Sequence, residues 1–152
     1  MRKAGRPSPP LIAYGMHRGP CVSGTRTHFQ VAMTVVMLVD DDEGARESLT
    51  ELLEETGYSV LQADNGSAAW QLLEEVEGRC DIIVLDLMMP TMNGWDFRRK
   101  QRGDPRFAGI PVLLMSSGAH IASVSAELEA ADYMSKPVEI ADLREKLRKH
   151  AA

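Results

Sequence analysis

Residues 81–94 read DIIVLDLMMPTMNG, and the reading of this stretch decides the fold. Residues 81–85 are apolar through their middle, without the polar alternation of a half-exposed strand, so they predict a strand covered on both faces. A strand of that kind belongs to a parallel sheet flanked by helices. Asp86 follows at once, then a loop containing Pro90 and the turn pair Asn93-Gly94. A helix near residues 95–102 comes next, with Trp95 or Phe97 as its anchor in the core.

The same alternation extends in both directions. Upstream, residues 35–39 form an apolar strand, and residues 44–56 a helix with Ala45, Ser48, Leu49, Leu52 and Leu53 on its inner face, closed by Gly57. Residues 59–63 are a second strand and Asn65-Gly66 a turn; residues 67–77 are a second helix turning Ala69, Leu72, Leu73 and Val76 inward. Downstream, Pro111 opens a strand over 112–115, a helix spans 121–131, and Tyr133-Met134 mark a short last strand. A closing helix covers 139–150, with Ile140, Leu143 and Leu147 facing in. Five strand-then-helix repeats predict an α/β fold: a doubly wound, five-stranded parallel sheet with five flanking helices, joined by right-handed crossovers. In such sheets the working site lies beyond the carboxyl ends of the strands.

Length and composition agree. The 152 residues suit one domain, and 44% hydrophobic with 26% charged residues is the balance of a soluble globular chain. No run approaches the roughly 18 apolar residues of a membrane-spanning helix. Residues 1–32 hold five Arg or Lys and no Asp or Glu, which leaves 12 basic against 22 acidic side chains and a net charge near −10 for the rest. So acidic a body repels nucleic acid phosphates. Residues 1–32, rich in Pro, Gly, Ser and Arg, predict a disordered basic extension, or an upstream start ahead of Met33; residues 33–152 are the domain. Prolines interrupt any secretory signal. Cys21, Cys80 and the four histidines have no disulfide or metal spacing, so a reduced, cytoplasmic setting is expected, with Cys80 a small core residue.

The strand-end rule gathers Asp40 and Asp41 after the first strand, Asp86 after the third, Ser116 after the fourth and Lys136 after the last. Three neighbouring carboxylates require partial protonation or a compensating cation, and an all-oxygen set of this kind suits Mg²⁺. The Lys136 ammonium and Ser116 hydroxyl complete a socket for one phosphoryl group, with Asp86 as the nucleophile. Pro137 fixes the exit of the chain after Lys136.

The segments VVMLVDDDEGARES (35–48), IIVLDLMMPTMNGW (82–95), PVLLMSS (111–117) and DYMSKP (132–137) resemble, in order, the signature segments of the response-regulator receiver family. The resemblance implies the CheY-like version of the flavodoxin-like fold, with Asp86 as phosphoacceptor. It implies that Asp41, Asp86 and the backbone carbonyl of Met88 bind Mg²⁺ directly, and that Asp40 assists through water. It further implies phosphoryl binding by Ser116 and Lys136, and an aromatic switch at Tyr133 that turns inward as Ser116 moves. Ser116 stands where Thr is more usual and Ser117 where a smaller residue is common; Glu129 stands where Gly is frequent and the segment from Ser116 to Lys136 is slightly shorter than in the single-domain chemotaxis member, so the fourth helix is expected to be short or mobile.

A phosphatase of the haloacid dehalogenase class also uses a strand-end Asp, but needs a second Asp two residues on, where this chain has Met88. A pseudo-receiver would lack part of the acidic set or the lysine, and all of it is present. The expectation is a phosphoacceptor, not an enzyme, supplied by a sensor histidine kinase or a histidine phosphotransfer protein. It would be a stand-alone receiver, monomeric or dimerising on phosphorylation, that relays its state to an unidentified protein target.

Overall fold

The computed structural model describes residues 32–151. The expected N-terminal extension, with Cys21, His17 and His28, lies outside the described residues apart from Ala32. Strand β1 (Val35–Val39) leads to helix α1 (Glu43–Glu55), β2 (Ser59–Ala63) to α2 (Gly66–Glu75), and β3 (Ile82–Asp86) to α3 (Gly94–Arg102). Strand β4 (Val112–Ser116) precedes α4 (Ile121–Glu127), and β5 (Asp132–Ser135) precedes α5 (Ile140–His150). All five strands are parallel in one sheet of order β2-β1-β3-β4-β5. The expected doubly wound fold is therefore present.

Burial follows the predicted pattern most closely in the middle of the sheet. Every residue of β3 and β4 is buried, and β1 is buried from Val36 onward, whereas the edge strand β2 is only half covered. One core layer joins Met37, Leu85 and Leu114 to Trp70, Leu73, Phe97 and Phe107. The other joins Val36, Leu38, Val84 and Leu113 to Leu49, Leu53, Leu143 and Leu147. Trp70 sits edge-on to Phe97 and Phe107, at 6.4 and 5.3 Å between centroids. Phe97, rather than the half-buried Trp95, is the anchor of α3.

Two expectations change. The inner face of α1 is Leu49, Thr50 and Leu53, while Ser48 and Leu52 are exposed. Thr50 is accommodated because its hydroxyl donates to the carbonyl of Arg46 at 2.8 Å, which lets a polar residue face the sheet. Helix α4 ends at Glu127 rather than at 131, because Glu129 takes a left-handed backbone conformation (φ 50°) that no α-helix continues. Helix α1 closes as expected at Gly57 (φ 95°): the N–H groups of Gly57 and Tyr58 donate to the carbonyls of Glu54 and Leu53.

Cys80 is buried, as expected of a core residue, and its thiol points at the carbonyl of Ile82, 3.2 Å away. Burial pushes this thiol up to about 11, against hydrogen bonding from the backbone at Ile82 and Met37 and with help from the Asp81 carboxylate. At pH 8 only about one molecule in a thousand then carries the reactive thiolate. Peptide mapping after iodoacetamide treatment of the native protein at that pH will find Cys80 unmodified, and modified fully once denaturant is added. Ready alkylation of Cys80 in the folded protein would contradict this packing.

Candidate functional site

Three buried strands deliver their last residues to one edge of the sheet. Asp40 leaves β1 with its N–H on the carbonyl of Ala63 (3.1 Å), and its Oδ1 accepts from the Asp42 N–H (3.0 Å). Asp42 caps α1 by accepting from the N–H of Ala45 at 3.0 Å. Asp86 ends β3 and is 2% exposed; its Oδ1 accepts from the Met88 N–H at 3.1 Å. Carboxylate oxygens of Asp40, Asp41 and Asp86 lie within 4.8 Å of one another, with Asp40 and Asp86 buried and Asp41 exposed.

Lys136 is placed by the backbone. Its N–H bonds to the carbonyl of Ser116 at 2.9 Å, continuing the ladder between β4 and β5, and the peptide bond to Pro137 is cis. Its Nζ donates to Asp86 Oδ2 at 2.9 Å and lies 3.0 Å from Asp40 Oδ2. The second contact is ionic without the alignment of a hydrogen bond, so Asp40 Oδ2 is buried with no hydrogen-bond partner. Burial raises the Asp86 carboxyl above the ordinary carboxylate range, and the bond from Lys136 offsets only part of that rise. On Lys136 burial works downward, but the carboxylates of Asp86 and Asp40 outweigh it and hold the ammonium above its usual value.

One ammonium facing three carboxylates leaves the cluster with an excess of two negative charges when all are ionised. An orphaned buried carboxylate oxygen beside two further acidic groups is the donor set a hard divalent cation requires. The residues present therefore fit Mg²⁺.

Of the remaining expected residues, Ser116 and Met88 lie at the same strand ends and Tyr133 does not. Ser116 is 5% exposed at the end of β4, and its Oγ accepts from the Gly118 N–H at 3.1 Å, which leaves its hydroxyl hydrogen available for donation. The Met88 side chain is 64% exposed, and its backbone N–H engages Asp86. Tyr133 is 38% exposed on β5, in register with Leu114, two residues before Ser116, so it stands outside the cluster. A groove of about 590 Å³ opens beside the carboxylates, lined by Asp40, Ala45, Leu49, Leu52, Lys136 and Val138.

Two features escaped the sequence reading. Arg46 reaches back from α1 to the carbonyl of Asp40 (2.7 Å) and to Gln62 Oε1 on β2 (3.2 Å), tying down the loop that carries the acidic pair. In the sequence it is one charge on a helix full of charges, with nothing to distinguish it. Gly94, read there as part of a turn, is required by close approach: a Cβ built on it would lie 2.6 Å from the carbonyl oxygen of Asp86 and 2.8 Å from Leu87 Cα. Asn93, beside it, caps α3 by accepting from the Asp96 N–H at 2.9 Å.

The family model for the response regulator receiver domain matches residues 36–148. The chain belongs to that family. Over 115 residues it is 36% identical to the transcriptional regulatory protein CusR of Escherichia coli, covering 74% of this chain and 49% of CusR. It is 32% identical over 111 residues to the two-component response regulator-like protein PRR73 of rice, covering 72% of this chain and 14% of that protein. The chain thus spans half or less of the length of these curated relatives. The crystallised chemotaxis protein CheY4 of Vibrio cholerae superposes with a TM-score of 0.71 at 26% identity, covering 78% of this chain and 99% of CheY4. Among the described residues, no helix is long and apolar enough to cross a membrane.

Proposed function

We propose that this receiver accepts a phosphoryl group on Asp86 from the phosphohistidine of a sensor kinase or phosphotransfer protein, in a Mg²⁺-dependent step, and signals the change to a protein partner. The observation that carries this reading is the Asp86 carboxylate, held at the end of a central strand on the Lys136 ammonium and within reach of two further carboxylates. In the transfer, an Asp86 oxygen attacks phosphorus and the phosphorus–nitrogen bond breaks; the imidazole leaves and takes up a proton, and an acyl phosphate remains. Lys136 offsets part of the rise that burial imposes on the Asp86 pKa, and then shares its hydrogen bonds with the new phosphoryl oxygens. Ser116 turns its free hydroxyl hydrogen toward another of them. Asp40, Asp41, Asp86 and the Met88 backbone would hold Mg²⁺, which neutralises phosphoryl charge.

Movement of Ser116 toward the phosphoryl group draws the loop before α4 with it, and Tyr133, now outward, turns into the space released. The buried free thiol of Cys80 supports a cytoplasmic setting. The acidic surface favours protein over nucleic acid as the partner.

Incubating the full chain with acetyl phosphate and Mg²⁺ and weighing it intact tests the chemistry. The expected result is the mass of one added phosphoryl group, removed by hydroxylamine and absent when EDTA replaces Mg²⁺. Labelling that is indifferent to EDTA, or that maps to a residue other than Asp86, would refute the proposal.

A further inference from the structure

Helix α3 reads GWDFRRKQR, and two of its polar residues are buried: Arg98 is 6% exposed and Gln101 fully covered. Arg98 donates from Nε to the carbonyl of Leu128 (3.1 Å), from Nη2 to the carbonyl of Glu129 (2.7 Å) and from Nη1 to Gln101 Oε1 (2.7 Å). Gln101 in turn donates from Nε2 to the carbonyls of Phe107 (3.0 Å) and Ile110 (2.9 Å). Every hydrogen-bond partner of this guanidinium among the described residues is neutral. Burial and the neighbouring Arg102 push its pKa down, while the Glu129 carboxylate opposes them. A buried charge of this kind persists only where its hydrogen bonds are well formed. One turn on, Arg102 pairs with Glu129 Oε2 at 2.7 Å.

These bonds all meet the chain where α4 ends. Leu128 is 2% exposed, Glu129 holds its left-handed conformation, and the Ala131 N–H already belongs to the sheet through Val112. The opposite end of α4 has no such support. His120 makes no side-chain capping bond, and residues 117–120 are all exposed. A groove of about 230 Å³, open to solvent, runs beside that first turn, lined by Leu87, Trp95, Ser116, His120, Ile121 and Val124. The helix is hydrogen-bonded to α3 at its carboxyl end, whereas its amino end is held by apolar packing of Ile121 and borders an open groove next to Ser116.

We propose that Arg98 is a fixed pivot for α4: it holds the carboxyl end of the helix on α3 in both states of the switch, confining phosphoryl-driven movement to the amino end beside the groove. The inference rests on the phosphoryl-switch reading given above. A pivot turns a small pull on the Ser116 loop into a tilt of the helix, because displacement grows with distance from the fastened end. A helix free at both ends would instead shift bodily or unwind.

Hydrogen exchange read by mass spectrometry on the full chain, with and without acetyl phosphate and Mg²⁺, tests this; intact mass verifies loading in every sample. In the wild type, exchange is expected to change with phosphorylation over residues 117–124 and to stay unchanged over 128–131. In Arg98→Met, loaded to the same extent, exchange over 128–131 is expected to become state-dependent by about tenfold or more, the scale of losing one or two net hydrogen bonds. If Arg98→Met does not fold by circular dichroism, Arg98→Lys, which keeps the charge and loses the fork, takes its place. A purely structural role raises exchange over 128–131 equally in both states, and that result overturns the pivot. A wild type that loads normally but changes as much at 128–131 as at 117–124 also overturns it. A wild type that does not load at all refutes the phosphoryl reading, and the pivot with it.

Discussion

Replacing Asp86 by asparagine is expected to abolish phosphoryl labelling altogether while leaving the melting temperature of the cation-free protein unchanged or slightly raised. The amide has no nucleophilic oxygen of comparable strength, and its neighbours do not substitute: Asp40 Oδ2 faces the same Lys136 from a buried position, and Asp41 stands at the exposed side of the cluster. Stability behaves differently because the substitution removes one of three mutually repelling carboxylates and leaves Lys136 paired with Asp40 at 3.0 Å. The folded-state pKa of Asp86 lies above its ordinary value, so the native state holds that proton more tightly than the unfolded chain. Stability from this group is fully present below the unfolded value and is lost as pH rises through the raised one. In EDTA, the difference in melting temperature between Asp86→Asn and the wild type should therefore grow in favour of the variant from acidic to neutral pH. Calorimetry in matched buffers, together with intact mass after acetyl phosphate treatment, checks both halves. Residual labelling at the wild-type level would move the acceptor elsewhere, and a large drop in melting temperature would mean that the Asp86–Lys136 pair supports the fold.

Gly94→Ala is expected to damage both stability and chemistry, although it adds only a single methyl group. Its Cβ would meet the Asp86 carbonyl oxygen at 2.6 Å and Leu87 Cα at 2.8 Å, both backbone atoms with no rotamer to yield. Relief comes only from moving the start of α3 or the end of β3. The cost is about 2–3 kcal/mol, a fall in melting temperature on the order of 10 °C for a domain of this size. Because the displaced backbone carries Asp86, the proposed acceptor, labelling by acetyl phosphate should slow by about a hundredfold, the penalty typical of a 1 Å misplacement. Gly66→Ala makes a useful comparison. Its Cβ would strike the Met92 carbonyl at 2.6 Å and the Met92 side chain at 2.7 Å, so it should lower stability while disturbing labelling less. Wild-type labelling and stability in Gly94→Ala would show that the loop adapts freely.

The parts of this molecule that could be read in its sequence are those governed by periodicity. The unbroken apolar runs of β3 and β4 declared both faces covered, and in the structure all ten residues are buried. Once the strands were in place, the strand-end rule assembled Asp40, Asp86, Ser116 and Lys136 without further information. Periodicity failed where a polar side chain finds its own hydrogen bonds. Thr50 faces the sheet because it bonds to the carbonyl of Arg46, and that rotates the apparent apolar face of α1 away from Leu52. Arg98 and Gln101 lie within a run of charged residues that reads as a solvated helix face, yet both are buried on backbone carbonyls, those of Leu128 and Glu129 for Arg98 and those of Phe107 and Ile110 for Gln101. The early end of α4 depends on one backbone angle at Glu129, for which the only sequence signal was an acidic residue where glycine is frequent.

Asp86 and its ammonium partner are separated by fifty positions along the chain, and the strand that delivers Lys136 is the last of the five. On a translating ribosome, the central strands and their acidic residues emerge well before that lysine does. The acidic residues consequently gain their counter-charge only when β5 joins β4, so closing the sheet and neutralising the cluster are one event.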